Sequence, residues 1–176
     1  RLIFNVSAIK QGQYDRFLTH GFIHKDGVHL FFNMFTLYFF GRSVEGFFRN
    51  YLSGMGFVLF YCSAIIIAAI PSYLHNRSLN SYRSLGASGA VNAVLFSAIL
   101  FDPWGMIYIY FIPVPAIIFG TIYLCYSMYA MRSGHSPLID HRAHIAGAMY
   151  GFLFPIILAP SLGAAFFYKF INTPLF

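Results

Sequence analysis

The feature that most constrains this chain is a series of five long, predominantly apolar stretches separated by short polar segments. A helix needs about 20 apolar residues to cross the hydrocarbon core of a bilayer. Inside lipid the backbone must satisfy its own hydrogen bonds, so each stretch is predicted to be a helix. We therefore expect an all-α, polytopic membrane helix bundle. The five predicted spans are 27–48, 51–74, 85–101, 110–131 and 141–158.

The composition excludes an ordinary soluble domain. The chain is 59% hydrophobic and 20% aromatic, and only 9% of its residues are charged. A soluble domain carries roughly 25% charged residues, which are needed to solvate its surface. The net charge of +6 comes from scattered basic residues without a Lys/Arg cluster. Contacts with lipid headgroups explain these residues better than nucleic acid does, so no nucleic-acid partner is expected.

The remaining segments predict one domain over residues 1–176. The segment 1–26 is mixed in character, and we expect an interfacial loop or short helices there. The tail from Ser161 is expected at the membrane interface. There is no internal repeat, and Cys62 and Cys125 are interpreted as packing residues because no metal-type spacing occurs. Because the chain begins at Arg1 rather than Met, we expect further sequence upstream.

A small set of polar residues inside the spans carries the functional signal, since polar groups are costly in lipid. His29 and Asn33 lie four residues apart and share one face of the first span. Ser88 follows Gly86 at the start of the third span, and His144 lies in the fifth. A nucleophile, a base and oxyanion donors are the groups that acyl transfer needs.

Packing offers an alternative explanation for each residue taken alone. Small residues let membrane helices approach closely, and the fifth span has such a face around Gly147 and Gly151. Ser88 alone fits packing better than chemistry, and His144 alone could be an interhelical hydrogen-bonding group. The combination of all these polar residues on three spans favours chemistry.

The other histidines give weaker signals. His141 is a rival base three residues before His144, but it lies nearer the polar loop and lacks the frame of small residues. The remaining four fall mostly in loops, and no H-E-x-x-H motif occurs, so neither a metal nor a cofactor is expected. These four are His20, His24, His75 and His135.

The motifs resemble those of the rhomboid family of intramembrane serine proteases over nearly the whole chain. The matching pieces are His29-xxx-Asn33, Gly86-x-Ser88-Gly89 and Ala143-His144-xx-Gly147, together with the run 17–41. The resemblance implies that the first family span precedes Arg1, so that the five spans correspond to the second through sixth.

The resemblance also implies roles for these residues. Ser88 and His144 would form a catalytic dyad without an acidic member, and the Ser88 backbone N–H with the side chains of Asn33 and His29 would stabilise the oxyanion. Gly86 would let the substrate backbone approach, with Gly89 and Gly147 as supporting residues. The implied partners are transmembrane protein substrates and the lipid bilayer, and the oligomeric state stays open. We expect a bacterial inner membrane, with the site opening on the non-cytoplasmic side through the loops 75–84 and 132–142.

The chain departs from the family pattern at three points. Asp15-Arg16 replaces the Trp-Arg of many relatives, which concerns loop packing. Asn92 replaces an aromatic residue that often packs on the catalytic histidine, and Asn92 is a candidate to hydrogen-bond His144 instead. The distribution of Lys and Arg favours the orientation opposite to that of the family.

Two other functional classes remain as alternatives. A non-proteolytic rhomboid-like protein would bind membrane proteins without cutting them, although such members generally lack the Ser or the His. A small transporter or haem-binding bundle would use intramembrane histidines in another pattern. Pro113 and Pro115, near the start of the fourth span, suggest either a lateral gate or a simple interfacial break.

Overall fold

A computed structural model of the protein describes residues 2–109, 111–133 and 139–172. The described residues form a helical bundle, and the all-α prediction is confirmed. Its short first elements are β1 (Phe4–Asn5), α1 (Val6–Lys10) and α2 (Arg16–Thr19), followed by a 3-10 turn at His20–Phe22. The bundle helices are α3 (Gly27–Leu52), α4 (Gly56–Asn76), α5 (Ser88–Phe101), α6 (Ala116–Ser133) and α7 (His141–Leu158).

The N-terminal segment is tied to the loop that precedes Ser88. Strand β1 pairs antiparallel with β2 (Arg83–Ser84), with Phe4 opposite Ser84. The fully buried Phe4 ring packs edge-on against the rings of Phe17 and Tyr82. The short helices expected in residues 1–26 are present, and they fold back against the end of the bundle that carries Ser88.

The fourth predicted span begins later than expected. A β-hairpin of β3 (Met106–Ile109) and β4 (Ile112–Pro115) precedes α6, which starts at Ala116 rather than near residue 110. Pro113 and Pro115 lie within β4, an edge strand, where a residue without an N–H is tolerated. The apolar run at this point therefore forms strands first and a helix afterwards.

The predicted interfacial tail is helical. Helix α8 (Ser161–Asn172) follows α7 after a bend of 116°. Trp104, in the loop before the hairpin, stacks on Phe170 of α8 at a centroid distance of 5.8 Å, and its indole N–H donates to the Phe170 carbonyl. Lys169 Nζ donates to the carbonyl of Phe101 at the end of α5. These contacts hold α8 against the C-terminal end of α5 and the loop that follows it.

One described helix is by itself long and apolar enough to cross a membrane. This helix is α4, with a mean hydropathy of 2.1, and the bent pair α7–α8 also passes when it is taken together. The count of five spans stays a prediction. Large apolar side chains nevertheless cover the outside of the bundle, for example Phe31, Phe35 and Phe39 on α3, which are 49–59% exposed.

Helix α5 is the centre of the bundle. Eleven of its fourteen residues are buried. It packs against α7 with almost no side chain between the backbones, because Gly147 faces the carbonyl of Gly89 and Gly151 faces the carbonyl of Ala93. Ser97 Oγ donates to the carbonyls of Ala93 and Gly151, the latter at 2.6 Å. Such close backbone contact is a usual means of helix association in lipid.

Candidate active site

Ser88 is the first residue of α5, and Gly86, two positions earlier, sets the backbone conformation that leads into this helix. Gly86 has φ +115°, a left-handed conformation that favours glycine. A Cβ on Gly86 would also lie 2.6 Å from Cε1 of His29. The Gly86 N–H donates to the carbonyl of His20 at 3.0 Å. The chain thus needs glycine here both for the backbone conformation and for the space beside His29.

Ser88 and His144 lie within hydrogen-bonding distance. Nε2 of His144 is 2.7 Å from Oγ of Ser88, although the two residues are 56 positions apart in sequence. Each is half-buried at the cavity wall, and the contact between Gly89 and Gly147 brings their helices together. Hydroxyl and imidazole are therefore arranged for proton transfer between them.

The rival His141 has a different environment. Its two ring nitrogens are buried and have no hydrogen-bond partner among the described residues. Its ring packs edge-on against that of His144 at a centroid distance of 5.8 Å. His141 therefore lies beside the Ser88–His144 pair without a hydrogen bond to Ser88. His135 lies outside the described residues.

Tyr123 of α6 occupies the other side of the His144 ring. Its hydroxyl oxygen is 3.0 Å from Nδ1 of His144, and Nδ2 of Asn92 donates to the same oxygen at 2.8 Å. Asn92 thus reaches His144 through Tyr123 rather than directly, which corrects the expected contact. Sequence reasoning missed Tyr123 because a tyrosine in an apolar span is usually a packing or interfacial residue.

His29 and Asn33 project from α3 into the same cavity. Asn33 is 5% exposed, and its Nδ2 donates one hydrogen bond to the backbone carbonyl of His29 at 2.8 Å. The amide carries a second N–H, which this bond leaves free. The backbone N–H of His29 donates to the N-cap Asp26 at 2.7 Å, which fixes the start of the helix.

His24 lies next to His29, with ring centroids 5.2 Å apart. Its Nε2 is buried and lacks a partner among the described residues. Burial, with a smaller contribution from the neighbouring His29, lowers the pKa of His24. His24 is therefore held towards its neutral form at the edge of the site.

Asp140 connects the helix that carries His144 with the loop that precedes Ser88. It caps α7 by accepting from the Ala143 N–H at 3.1 Å, and it accepts from Ser72 of α4 at 2.6 Å. Its second oxygen accepts from Tyr82 at 2.8 Å and from Ser84 at 3.4 Å. Burial and the nearby carboxylate raise the pKa of Tyr82, which keeps the phenol protonated as a donor.

The site opens into a cavity of about 930 Å³. Ser88, His144, His29 and Asn33 all line it. Its lining also includes polar residues in or next to the loops, among them Arg83, His75 and Arg142. A guanidinium nitrogen of Arg142 lies 3.0 Å from Nε2 of His75. A cavity with this polar side can hold the water that hydrolysis needs. Within the described part of the chain, no group of three or more His, Cys, Asp or Glu is placed to hold a metal ion.

Known proteins share this sequence pattern. A family model described as Rhomboid domain matches residues 11–161. The chain is 32% identical over 160 residues to RHOMBOID-like protein 12, mitochondrial, of Arabidopsis thaliana, covering 83% of this chain and 47% of that protein. It is 33% identical over 135 residues to the rat Presenilin-associated rhomboid-like protein, mitochondrial, covering 74% of this chain and 34% of that protein.

A bacterial relative is also similar. The chain is 40% identical over 85 residues to Rhomboid protease GluP of Bacillus subtilis, covering 48% of this chain and 15% of that protein. The chain thus spans about half the length of the plant relative and about a third of the rat one. Because both of these carry mitochondrial names, the expected bacterial inner membrane is not supported. This chain belongs to the rhomboid family and is an integral membrane protein.

Proposed function

We propose that this protein is an intramembrane serine endopeptidase that hydrolyses peptide bonds in or near the transmembrane segments of other membrane proteins. The observation that carries the proposal is the 2.7 Å distance between Ser88 Oγ and His144 Nε2 inside a cavity. Helix packing alone does not require such a pair. A polar contact that only joins two membrane helices can lie within their interface and does not need to line a cavity.

The first half of the reaction forms an acyl-enzyme. Ser88 Oγ attacks the scissile carbonyl carbon while His144 Nε2 takes the hydroxyl proton. The tetrahedral intermediate collapses, the C–N bond breaks, and His144 returns the proton to the leaving amine. The acyl group is then esterified to Ser88. In the second half, water attacks the ester carbon while His144 Nε2 takes one of its protons. The bond between that carbon and Ser88 Oγ then breaks, His144 returns the proton to Ser88 Oγ, and the carboxylic acid leaves.

The negative charge on the carbonyl oxygen needs donors near Ser88. The backbone N–H of Ser88 belongs to the first turn of α5, where N–H groups have no intrahelical partner and the helix dipole favours negative charge. The free N–H of Asn33 and the His29 ring lie in the same cavity. These groups are proposed as the oxyanion donors, each typically worth about 3–4 kcal/mol.

The substrate is proposed to be a transmembrane helix that unwinds readily and has small residues at the cut. This part rests on the family resemblance, and the glycine at position 86 agrees with a close approach of substrate backbone. We further propose that the cavity opens on the non-cytoplasmic side, through the loop 75–84. An impermeant thiol reagent should then label an Asn80→Cys variant from that side of sealed vesicles.

The test is covalent labelling combined with cleavage. Purified protein in detergent is treated with a fluorophosphonate probe, and a fusion protein with one transmembrane segment serves as substrate. Wild type should label and cut, and Ser88→Ala should do neither while keeping its melting temperature. His144→Ala should lose labelling, whereas His141→Ala, a matched change three residues away, should retain much of it.

Two results would overturn the proposal. Cleavage by Ser88→Ala at the wild-type rate would show that another group does the chemistry. Binding of the substrate without labelling or cleavage by wild type would assign the chain to the non-proteolytic members of the family.

A further inference from the structure

We propose that Tyr123 and Asn92 are positioning residues for the base, and that they take the place of an acidic third member of a triad. The inference rests on the proposed function, because it concerns how His144 acts on Ser88. It is carried by a continuous line of hydrogen bonds from Asn92 through Tyr123 and His144 to Ser88, with distances of 2.8, 3.0 and 2.7 Å.

The tautomer of His144 decides whether it can act as a base. To take the Ser88 proton, Nε2 must carry a lone pair, so the hydrogen of the neutral ring must be on Nδ1. An Nδ1–H group needs an acceptor, and in Ser-His-Asp triads this acceptor is the aspartate carboxylate. Here the atom at Nδ1 is the phenolic oxygen of Tyr123.

No carboxylate competes for this place among the described residues. Asp140 is the acidic group nearest to His144 in sequence, and its oxygens are engaged with Ser72, Tyr82, Ser84 and the Ala143 N–H. It holds the N-terminus of α7 rather than the imidazole. The neutral phenol is therefore the group that selects the His144 tautomer.

Asn92 fixes the direction of the phenolic oxygen. It lies on α5, one helical turn after Ser88, and is 6% exposed. Its Nδ2 donates to Tyr123 Oη, so that oxygen receives one hydrogen from Asn92 and one from His144 Nδ1. The phenol hydrogen must then point elsewhere.

The phenol ring is itself held in place. It stacks on Phe119 at an interplanar angle of 15° and lies 6.4 Å from the ring of Phe96 of α5. The His144 ring lies nearly parallel to it, at 25°. The network therefore joins α5, α6 and α7, each of which contributes one or two members. It orients the base without a buried carboxylate.

The decisive variant is Tyr123→Phe, which removes one oxygen atom and keeps the ring. We expect kcat to fall roughly 10- to 100-fold with little change in KM, a smaller loss than the about 10⁴-fold seen when a triad carboxylate is replaced. Tyr126→Phe is the matched control, because it makes the same change on the exposed side of the same helix. It should leave kcat unchanged.

Two further measurements distinguish a role of Tyr123 and Asn92 in positioning His144 from a role in the stability of the fold alone. In ¹⁵N spectra of histidine-labelled protein, assigned with His144→Gln, wild type should show His144 protonated at Nδ1, and Tyr123→Phe should show a mixture of tautomers. Asn92→Leu should slow kcat, and the double variant with Tyr123→Phe should be no slower than Tyr123→Phe alone, because the two act in one line.

The results distinguish this inference from the proposed function. If wild type labels and cuts but Tyr123→Phe keeps both the wild-type kcat and the Nδ1 tautomer, the positioning role is wrong and the dyad stands. An Nε2-protonated His144 in wild type would also overturn it. Failure of Ser88→Ala to lose activity would overturn the proposed function instead, and the tautomer measurement is independent of proteolysis.

Discussion

Gly147 and Gly89 meet backbone to backbone, so that a Cβ added to Gly147 would overlap the carbonyl oxygen of Gly89. Gly147→Ala should therefore force α5 and α7 apart and separate Ser88 from His144. We expect a loss of about 1–3 kcal/mol of stability, as for other overpacked positions, and a near-complete loss of probe labelling. Melting temperature and labelling rate on the same preparation provide the measurement.

The control for this substitution is Gly46→Ala. Gly46 lies in α3, and nothing stands within 4 Å of a Cβ built there. Alanine favours a helix over glycine by about 1 kcal/mol, so this variant should keep or raise the melting temperature and label normally. Equal behaviour of the two variants would mean that the α5–α7 contact does not limit the distance between Ser88 and His144.

The oxyanion proposal predicts a loss of rate without a loss of stability. Asn33→Ala should lower kcat by roughly 100-fold or more, because one transition-state donor disappears. His29→Ala should lower it less, since several donors share the charge. A role as interhelical glue would instead change stability by about 0.6 kcal/mol and leave turnover near normal. Measured kcat and melting temperature decide between the two roles.

The hydrogen bonds of Asp140 lead us to expect that its substitution lowers stability and also disturbs the position of Ser88. Asp140→Asn keeps an oxygen that can cap α7, but its NH₂ group is a donor and can accept from neither Tyr82 nor Ser84. We expect a loss of about 1–3 kcal/mol and slower labelling of Ser88, because a buried donor is left without a partner. Asp26→Asn makes the same change at the N-cap of α3 and should have little effect. A similar loss in both variants would point to capping alone.

His20 predicts a dependence of stability on pH. Burial lowers the pKa of His20 below its usual 6.5, and its Nδ1 is hydrogen-bonded to the carbonyl of Arg16. The folded state thus favours neutral His20 more than the unfolded chain does, so its contribution is present above pH 6.5 and is lost as pH falls. The melting temperature should fall between pH 7 and pH 5, and His20→Gln should fall less. Parallel curves for the two proteins would contradict this assignment.

Trp104 is the only tryptophan of the chain, so its fluorescence reports where the α8 end of the bundle lies. Tryptophan favours the membrane interface, and Trp104 stacks on Phe170 of the sharply bent α8. Lipids brominated close to the glycerol should quench its emission more than lipids brominated near the terminal methyl group. Stronger quenching by the deep label would place α8 inside the hydrocarbon core, and Trp104→Phe supplies the blank.

The sequence predicted the residues whose chemistry is unusual for their surroundings. Ser88, His144, His29 and Asn33 are polar groups in apolar spans, where each needs a reason, and the structure gathers all four around one cavity. Tyr123 was not predicted because a tyrosine ring is common in an apolar span. The role of its hydroxyl depends on neighbours that only the folded structure brings to it.

The late start of α6 has a local physical cause. The stretch that forms the hairpin before α6 is apolar and rich in β-branched and aromatic residues, and a short run of this kind does not distinguish strand from helix. The end of the fifth span at Leu158 and the start of the tail at Ser161 agree with the prediction, whereas the sharp turn between them depends on packing against Trp104 and the end of α5, which are distant in sequence.

The pairing of β1 with β2 has a consequence for the order of folding. Phe4 and Ser84 lie about 80 residues apart, and closing a flexible loop of that length costs on the order of 4 kcal/mol in chain entropy before any contact is gained. The helices between them can insert into the membrane one by one without this closure. The loop that precedes Ser88 is held in place only when the segment around Phe4 pairs with it. We therefore expect the arrangement around Ser88 to form late in the maturation of the protein.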